Sequence, residues 1–196
     1  MERPDVIDVP EDGHDRAIQA LTAAFIADPL MRWMFPEAAD YLEYFPRLVR
    51  VFVGPAFEQG AAHATPGFEG AAIWYAPGGG PDEEGVGKLV AEAFSSSKRE
   101  EVFALFEEMD RHHPNDREVW YLPTIGVDPA YQRRGIGAAL LQRQFGVCDQ
   151  AGIQAYLESS NPANMSLYER HGFRTTGQIQ VGSSPVVHPM LRPIGG

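Results

Sequence analysis

Val119-Trp120-Tyr121-Leu122-Pro123-Thr124-Ile125-Gly126-Val127 is a nearly continuous apolar run, and Asp128-Pro129-Ala130-Tyr131-Gln132-Arg133-Arg134-Gly135-Ile136-Gly137-Ala138 follows it directly. Such a run predicts a strand buried on both faces. The residues after it turn tightly and open a helix. From Gly135 to Gln150 an apolar arc of Ile136, Leu140, Leu141, Phe145, Val147 and Cys148 opposes a polar arc of Gln142, Arg143, Asp149 and Gln150. Ile153 to Glu158 reads as another strand, Asn164 to Arg170 as a short helix, and Gly172 onward as a terminal hairpin. A helix between two strands implies parallel neighbours joined by a right-handed crossover. The expectation is a mixed α/β sheet packed with helices, one domain over residues 1–196.

Upstream, Asp5 to Val9 reads as a first strand, and Asp15 to Ile26 as a helix capped by Asp12 and ended at Asp28-Pro29. A second helix covers Ala39 to Glu58, with Tyr41, Phe45, Leu48 and Phe52 on one face; Pro46 is compatible only near a helix start or a kink. Strands are expected at Ala61–Thr65 and Gly70–Tyr75, then a Gly/Pro loop, then helix from Glu83 to Met109 with a break near Ser95-Ser96-Ser97.

A net charge of −11 disfavours nucleic acid and anionic membranes as partners and suits a cationic substrate such as an amine, though the same charge also serves solubility. No run reaches the roughly 20 apolar residues of a bilayer span. The start, Met1 to Asp5, lacks the apolar core of a secretory signal, and the single cysteine, Cys148, permits no internal disulfide. Both fit a cytoplasmic location.

The turn after the apolar strand is where chemistry enters. Free N–H groups at a helix start, with the positive end of its dipole, make an anion site. Gly135 and Gly137 clear side chains from the approach, and Arg133 and Arg134 add charge. Together these suit a pyrophosphate; the bland alternative for the two glycines is helix–strand packing. The dinucleotide fingerprint has no match here. Gly87-Lys88 imitates the end of a Walker loop, but Leu89 replaces the hydroxyl that binds magnesium.

At these residues the chain resembles the GNAT superfamily of acetyl-CoA-dependent acyltransferases over 119–173. Its Q/R-x-x-G-x-G/A signature is matched by Gln132, Gly135 and Gly137. A turn at Val127-Asp128-Pro129 precedes it, and a second box follows with Asn161, Asn164 and Tyr168-Glu169-Arg170-His171-Gly172-Phe173. More loosely the whole chain is similar to the puromycin N-acetyltransferase-like branch. The resemblance implies about seven strands, with the fourth and fifth splayed to admit acetyl-CoA (coenzyme A). It also implies backbone contacts to the donor from Ile125, Gly126 and Val127. Gln132, Arg133, Arg134, Gly135, Ile136, Gly137 and Ala138 would hold the pyrophosphate, with Asn161, Asn164 and Tyr168 on the other wall. Pro123 fits such a strand, because proline is tolerated only at a bulge or where pairing lapses.

The implied reaction is direct attack of a primary amine on the thioester in a ternary complex. Deprotonating an alkylammonium at pH 7 costs roughly 4 kcal/mol, so a general base is needed. Some relatives carry a glutamate at the position of Tyr121; here Glu158, at the exit of the fifth strand, is the first choice, ahead of Glu118 and His113. A helix-terminal charge or a surface pair is the other reading of Glu158. Tyr168 occupies the proton-donor position of the second box, or is simply a core aromatic; the Val127 N–H is placed to polarise the thioester carbonyl. His112 and His113 are adjacent and face different ways, and no third ligand has a supporting spacing, so no metal is assigned. Cys148, on an apolar arc, reads as core.

On the acceptor side, Trp33, Phe35 and Tyr41 fall where this fold lines its cleft, although they also fit ordinary packing; Trp33, Phe35 and Tyr121 are the substrate-binding expectations. An aromatic lining with an acidic surface suits a bulky small-molecule amine. Two rivals stay open: a peptide or protein N-acetyltransferase, which calls for an open groove, and a non-catalytic acyl-CoA-binding module. The segment Pro185 to Met190 is a candidate for pairing with a second copy in a homodimer.

Overall fold

The apolar run forms β4 (Val119–Val127) at the centre of a seven-stranded sheet in the computed structural model, which describes residues 3–58 and 61–196. The other strands are β1 (Ile7–Asp8), β2 (Ala62–Ala64), β3 (Gly70–Tyr75), β5 (Gln154–Ser159), β6 (Arg174–Thr175) and β7 (His188–Arg192), in the order β1-β2-β3-β4-β5-β7-β6. Every pairing is antiparallel except β4 with β5, the pair joined through a helix.

Both faces of the sheet are covered, which is why β3 is buried at all six positions. Ala71, Ile73 and Tyr75 meet a cluster built from α1 (His14–Ala24), α3 (Ala38–Glu58), α4 (Glu83–Ala93) and α5 (Ser96–His112). Ala72 and Trp74 meet the opposite cluster, built on α6 (Ile136–Ala151) with Tyr168 of α7 (Pro162–Glu169). The period-2 alternation of a strand thus feeds two cores. None of the described helices is long and apolar enough to cross a membrane.

Two irregularities in β4 shape everything downstream. Against β3, Ile73 pairs with Thr124 but Tyr75 pairs with Tyr121, so β4 holds one extra residue at Leu122-Pro123, a β-bulge. The bulge reverses the parity of the strand: Trp120 and Leu122 face α6, and beyond it so do Ile125 and Val127, while Gly126 turns to α1. A Cβ on Gly126 would sit 2.5 Å from the Cβ of Ala24, so only glycine lets α1 lie this close. Against β5, pairing runs from Val119 with Gln154 to Leu122 with Leu157 and stops. From Pro123 onward the two strands diverge.

Several local expectations need correction. Gly13, not Asp12, precedes α1; Asp12 lies inside a 3-10 turn at Glu11–Gly13. Asp28-Pro29 starts a helix as well as following one, since Asp28 caps α2 (Pro29–Met34). Pro46 and Pro55 both lie inside α3. Each interior proline costs about 3 kcal/mol. The helix also buries Tyr41, Phe45, Leu48, Val49, Val53 and Ala56, the larger of which contribute about 1.5–3 kcal/mol apiece, so burial wins. The segment assigned to a second copy is used within the chain: β7 pairs with β5 on one side and with β6 on the other, and Val187 bridges Ile179.

Candidate active site

The divergence of β4 from β5 opens a wedge, and backbone alternation fixes what faces it. The Asp128 N–H donates to Glu69 O at 2.8 Å, toward the β3 side. Successive peptide groups point to opposite edges of a strand, so Val127 and Ile125 present their N–H and C=O groups toward the wedge. The Val127 carbonyl accepts a hydrogen bond from Gln132 Nε2 at 3.2 Å. Gln132 thereby ties the end of β4 to the turn before α6.

That turn is built for an anion. Asp128 caps the 3-10 turn Pro129–Tyr131 by accepting from the Ala130 N–H. Arg133 (φ +62°) and Gly135 (φ +82°) are left-handed and curl the chain into the start of α6. The first intrahelical bond runs from the Ala139 N–H to Gly135 O. Among the described residues no acceptor meets the N–H groups of Arg133, Arg134, Gly135, Ile136, Gly137 or Ala138. Those amides, the helix dipole and the exposed guanidinium groups of Arg133 and Arg134 fit a diphosphate, in a chain whose net charge of −11 would otherwise repel one. Gly137 has a second reason to lack a side chain, since its Cβ would lie 3.2 Å from Leu167 Cδ2.

At the mouth of the wedge a cleft of ≈120 Å³ opens between the sheet, Phe25 just past α1, and α2, α3 and α5, with Glu158, Tyr121, Asn164 and Tyr168 in its lining. Glu158 extends from β5 on the same face as Tyr156, which is the register partner of Tyr121. Burial pushes its carboxyl up to about 7 from 4.5, while the Tyr121 and Tyr156 hydroxyls beside it act in the opposite sense. Tyr156 Oη is buried without a hydrogen-bond partner among the described residues. His113, at the end of α5, sets its ring edge-on to both Tyr121 and Tyr156 at 5.0 Å; burial lowers its pKa and keeps it neutral at pH 7. Glu118 is exposed just before β4, at the end remote from the wedge.

Tyr168 is buried on α7, packs edge-on against Phe173, and its hydroxyl makes no hydrogen bond to any described residue. Burial, with a contribution from the Asp28 carboxylate, raises its pKa, so the phenol keeps its proton. Asn161 spends its side chain on capping α7, accepting from the Ala163 N–H, whereas Asn164 lines the cleft.

Two expected substrate contacts lie elsewhere. Phe35 is core, stacked on Phe94 at 5.0 Å. Trp33 donates to Ser183 Oγ and carries Lys98 Nζ 3.2 Å over its ring. Neither lines the cleft, whereas Leu30, Met31 and Met34 of the same short helix do. A six-residue helix can turn only one side to the sheet, and the apolar spacing of α2 gives that side to the methionines. Cys148 is buried, its thiol pushed up to about 12 by burial. Among the described residues no group of three or more His, Cys, Asp or Glu side chains is arranged to hold a metal.

Asp28 is the residue that sequence reading missed. It is 5% exposed; Oδ1 accepts from the Leu30 and Met31 N–H groups, and Oδ2 accepts from the Ser160 hydroxyl at 2.8 Å. It therefore ties α2 to the β5–α7 connection across the cleft. The signal was present as Asp followed by Pro, a cap and first-turn pair that begins helices.

The sequence model of the Acetyltransferase (GNAT) family matches residues 86–173, a span that begins in α4 and contains β4, the anion turn, β5 and α7. Residues 86–173 thus form a GNAT-type acetyltransferase region, and the chain is an acetyl-CoA-dependent acyltransferase. It is 25% identical over 174 residues to an uncharacterized N-acetyltransferase of Schizosaccharomyces pombe, covering 82% of this chain and 70% of that protein. To the N-alpha-acetyltransferase RimI of Mycobacterium tuberculosis it is 36% identical over 75 residues, 38% of this chain and 46% of the relative. The histone acetyltransferase HPA2 and related acetyltransferase from Corynebacterium glutamicum superposes with a TM-score of 0.69 at 21% identity, over 98% of this chain and 97% of that one. The last likeness bears on fold alone. The GNAT sheet, with its wedge between the fourth and fifth strands, is what this chain builds.

Proposed function

We propose that this GNAT protein transfers an acetyl group from acetyl-CoA to the primary amine of a small molecule, by direct attack in a ternary complex. One observation carries the reading: the cleft beside the wedge contains a single carboxyl, Glu158, whose pKa burial raises to about 7. The Arg133–Ala138 amides, with the two arginines, would hold the pyrophosphate, and Ile125 and Val127 would align the donor along β4. When bound, acetyl-CoA supplies the acetyl group as a thioester. Glu158 takes a proton from the incoming ammonium, directly or through one water, and exposes the nucleophilic lone pair. The Val127 N–H would polarise the thioester carbonyl. Tyr168 Oη holds a proton close to the wedge and gives it to the leaving sulfur.

The local match to RimI favours a peptide N-terminus as acceptor. The apolar, helix-walled cleft favours the small molecule, because a peptide backbone laid there would leave its polar groups unpaired. Thiol release from acetyl-CoA, followed across small amines and N-terminal peptides with mass detection of the acetylated product, tests the proposal. No release above thioester hydrolysis with any amine would end it.

A further inference from the structure

The cleft wall narrows what kind of amine can enter. Its body is formed by Phe25, Phe45, Phe52, Phe106, Met31 and Met109, with aliphatic side chains between them. Among the described residues that line it, Glu158 is the one ionisable group besides the phenols of Tyr121 and Tyr168. Asp28, the nearest other buried acid, lies behind Ser160 with both oxygens already bonded. These rings also pack against one another or the core: Phe45 stacks on Tyr41 at 4.9 Å and tilts against Phe25 at 5.6 Å, and Phe52 tilts against Phe106.

From this wall we infer that the acceptor is a primary monoamine with an apolar aryl or alkyl body, and that amines with a second cationic end are excluded. The inference rests on the acyl-transfer reading above and deepens it. One charge meets one carboxylate at the reacting end. A second ammonium or guanidinium would be stripped of water against methionine and phenylalanine with no acid to meet it. The acidic surface draws cations of every kind toward the protein, so discrimination falls to the cleft itself.

The test compares kcat/KM by thiol release for 2-phenylethylamine and hexylamine against putrescine and agmatine, at one pH and a saturating acetyl-CoA concentration. Hexylamine and putrescine both present alkylammonium groups with pKa near ~10, so their difference reports the far end of the molecule. The expected result is a preference of about 100-fold for the monoamines. A preference below about tenfold, or one for the diamines, overturns the inference while leaving acetyl transfer standing. Absence of thiol release with all four amines and with N-terminal peptides removes the acyl-transfer reading, and this inference with it.

Discussion

Replacing Glu158 with Gln separates a catalytic carboxyl from a structural one, because the two roles predict effects of opposite direction. Burial brings this carboxyl from 4.5 to about 7, within about three units of an alkylammonium near ~10. Relative to an ordinary carboxylate, that makes it a stronger base by roughly 3 kcal/mol. A positioned general base contributes about 10²–10⁴-fold, and Glu158→Gln should lose that much in kcat/KM with no change in coenzyme A affinity. The wild-type profile of kcat/KM should rise with pH and bend near 7 as Glu158 gives up its proton; the bend should vanish in the variant. Stability should move the other way. The folded protein holds this proton more tightly than the unfolded chain does, so the group stabilises the fold below about 4.5 and loses that contribution as pH rises through about 7. At pH 8 the variant, with no buried charge to keep, should melt at a higher temperature than wild type. Thiol-release kinetics from pH about 5.5 to 9, with thermal melts at both ends, check both halves. A variant within about tenfold of wild type that keeps the bend near 7 would refute the assignment.

The other predictions concern the donor site, the proton donor and the frame. Gly135→Glu should abolish coenzyme A binding in calorimetry, because it sets a carboxylate at the anion turn, whereas Gly135→Ala, which shares the left-handed strain at φ +82° and costs about 1 kcal/mol, should still bind. Tyr168→Phe should lower kcat more than it changes KM; equal turnover would remove the proton-donor role. Arg192, 3% exposed, meets Asp149 through two hydrogen bonds of 2.7 and 2.9 Å far from the cleft. Arg192→Met should cost about 2–3 kcal/mol in urea denaturation, less than a fully buried pair because Asp149 is partly exposed, and should leave kcat alone in the folded protein.

The elements that sequence reading placed well are those whose signal is local and periodic. β4 and β3 fall at the expected residues, and the break between α4 and α5 falls at the serine run, because alternation and turn chemistry act within a few residues. The turn before α6 also falls where expected, since its glycines, arginines and helix start are contiguous. What stayed hidden depends on distance. No spacing in Trp33 or Phe35 says that a six-residue helix turns its methionines to the cleft. Tyr156 and His113 become relevant to Glu158 only after β5 pairs with β4 and α5 packs over both. Asp28 looked like a terminator because its partner, Ser160, is 132 residues away.

Pro123 connects the legible part to the hidden one. A proline in a central strand forfeits a ladder hydrogen bond, and β4 places it where two consequences coincide. Toward β3 the extra residue at Leu122-Pro123 flips the strand, so that Ile125 and Val127 bury their side chains against α6 while Gly126 admits α1. Toward β5, pairing ends one residue earlier, at Leu122. The same bulge therefore leaves the edge of Ile125 and Val127 open, between the start of α6 and the cleft that Glu158 lines. Had the strand continued in register, β5 would have consumed those backbone groups and the carboxyl would have faced a closed ladder. A proline that weakens the sheet locally is what leaves open the gap that the proposed thioester and base would share.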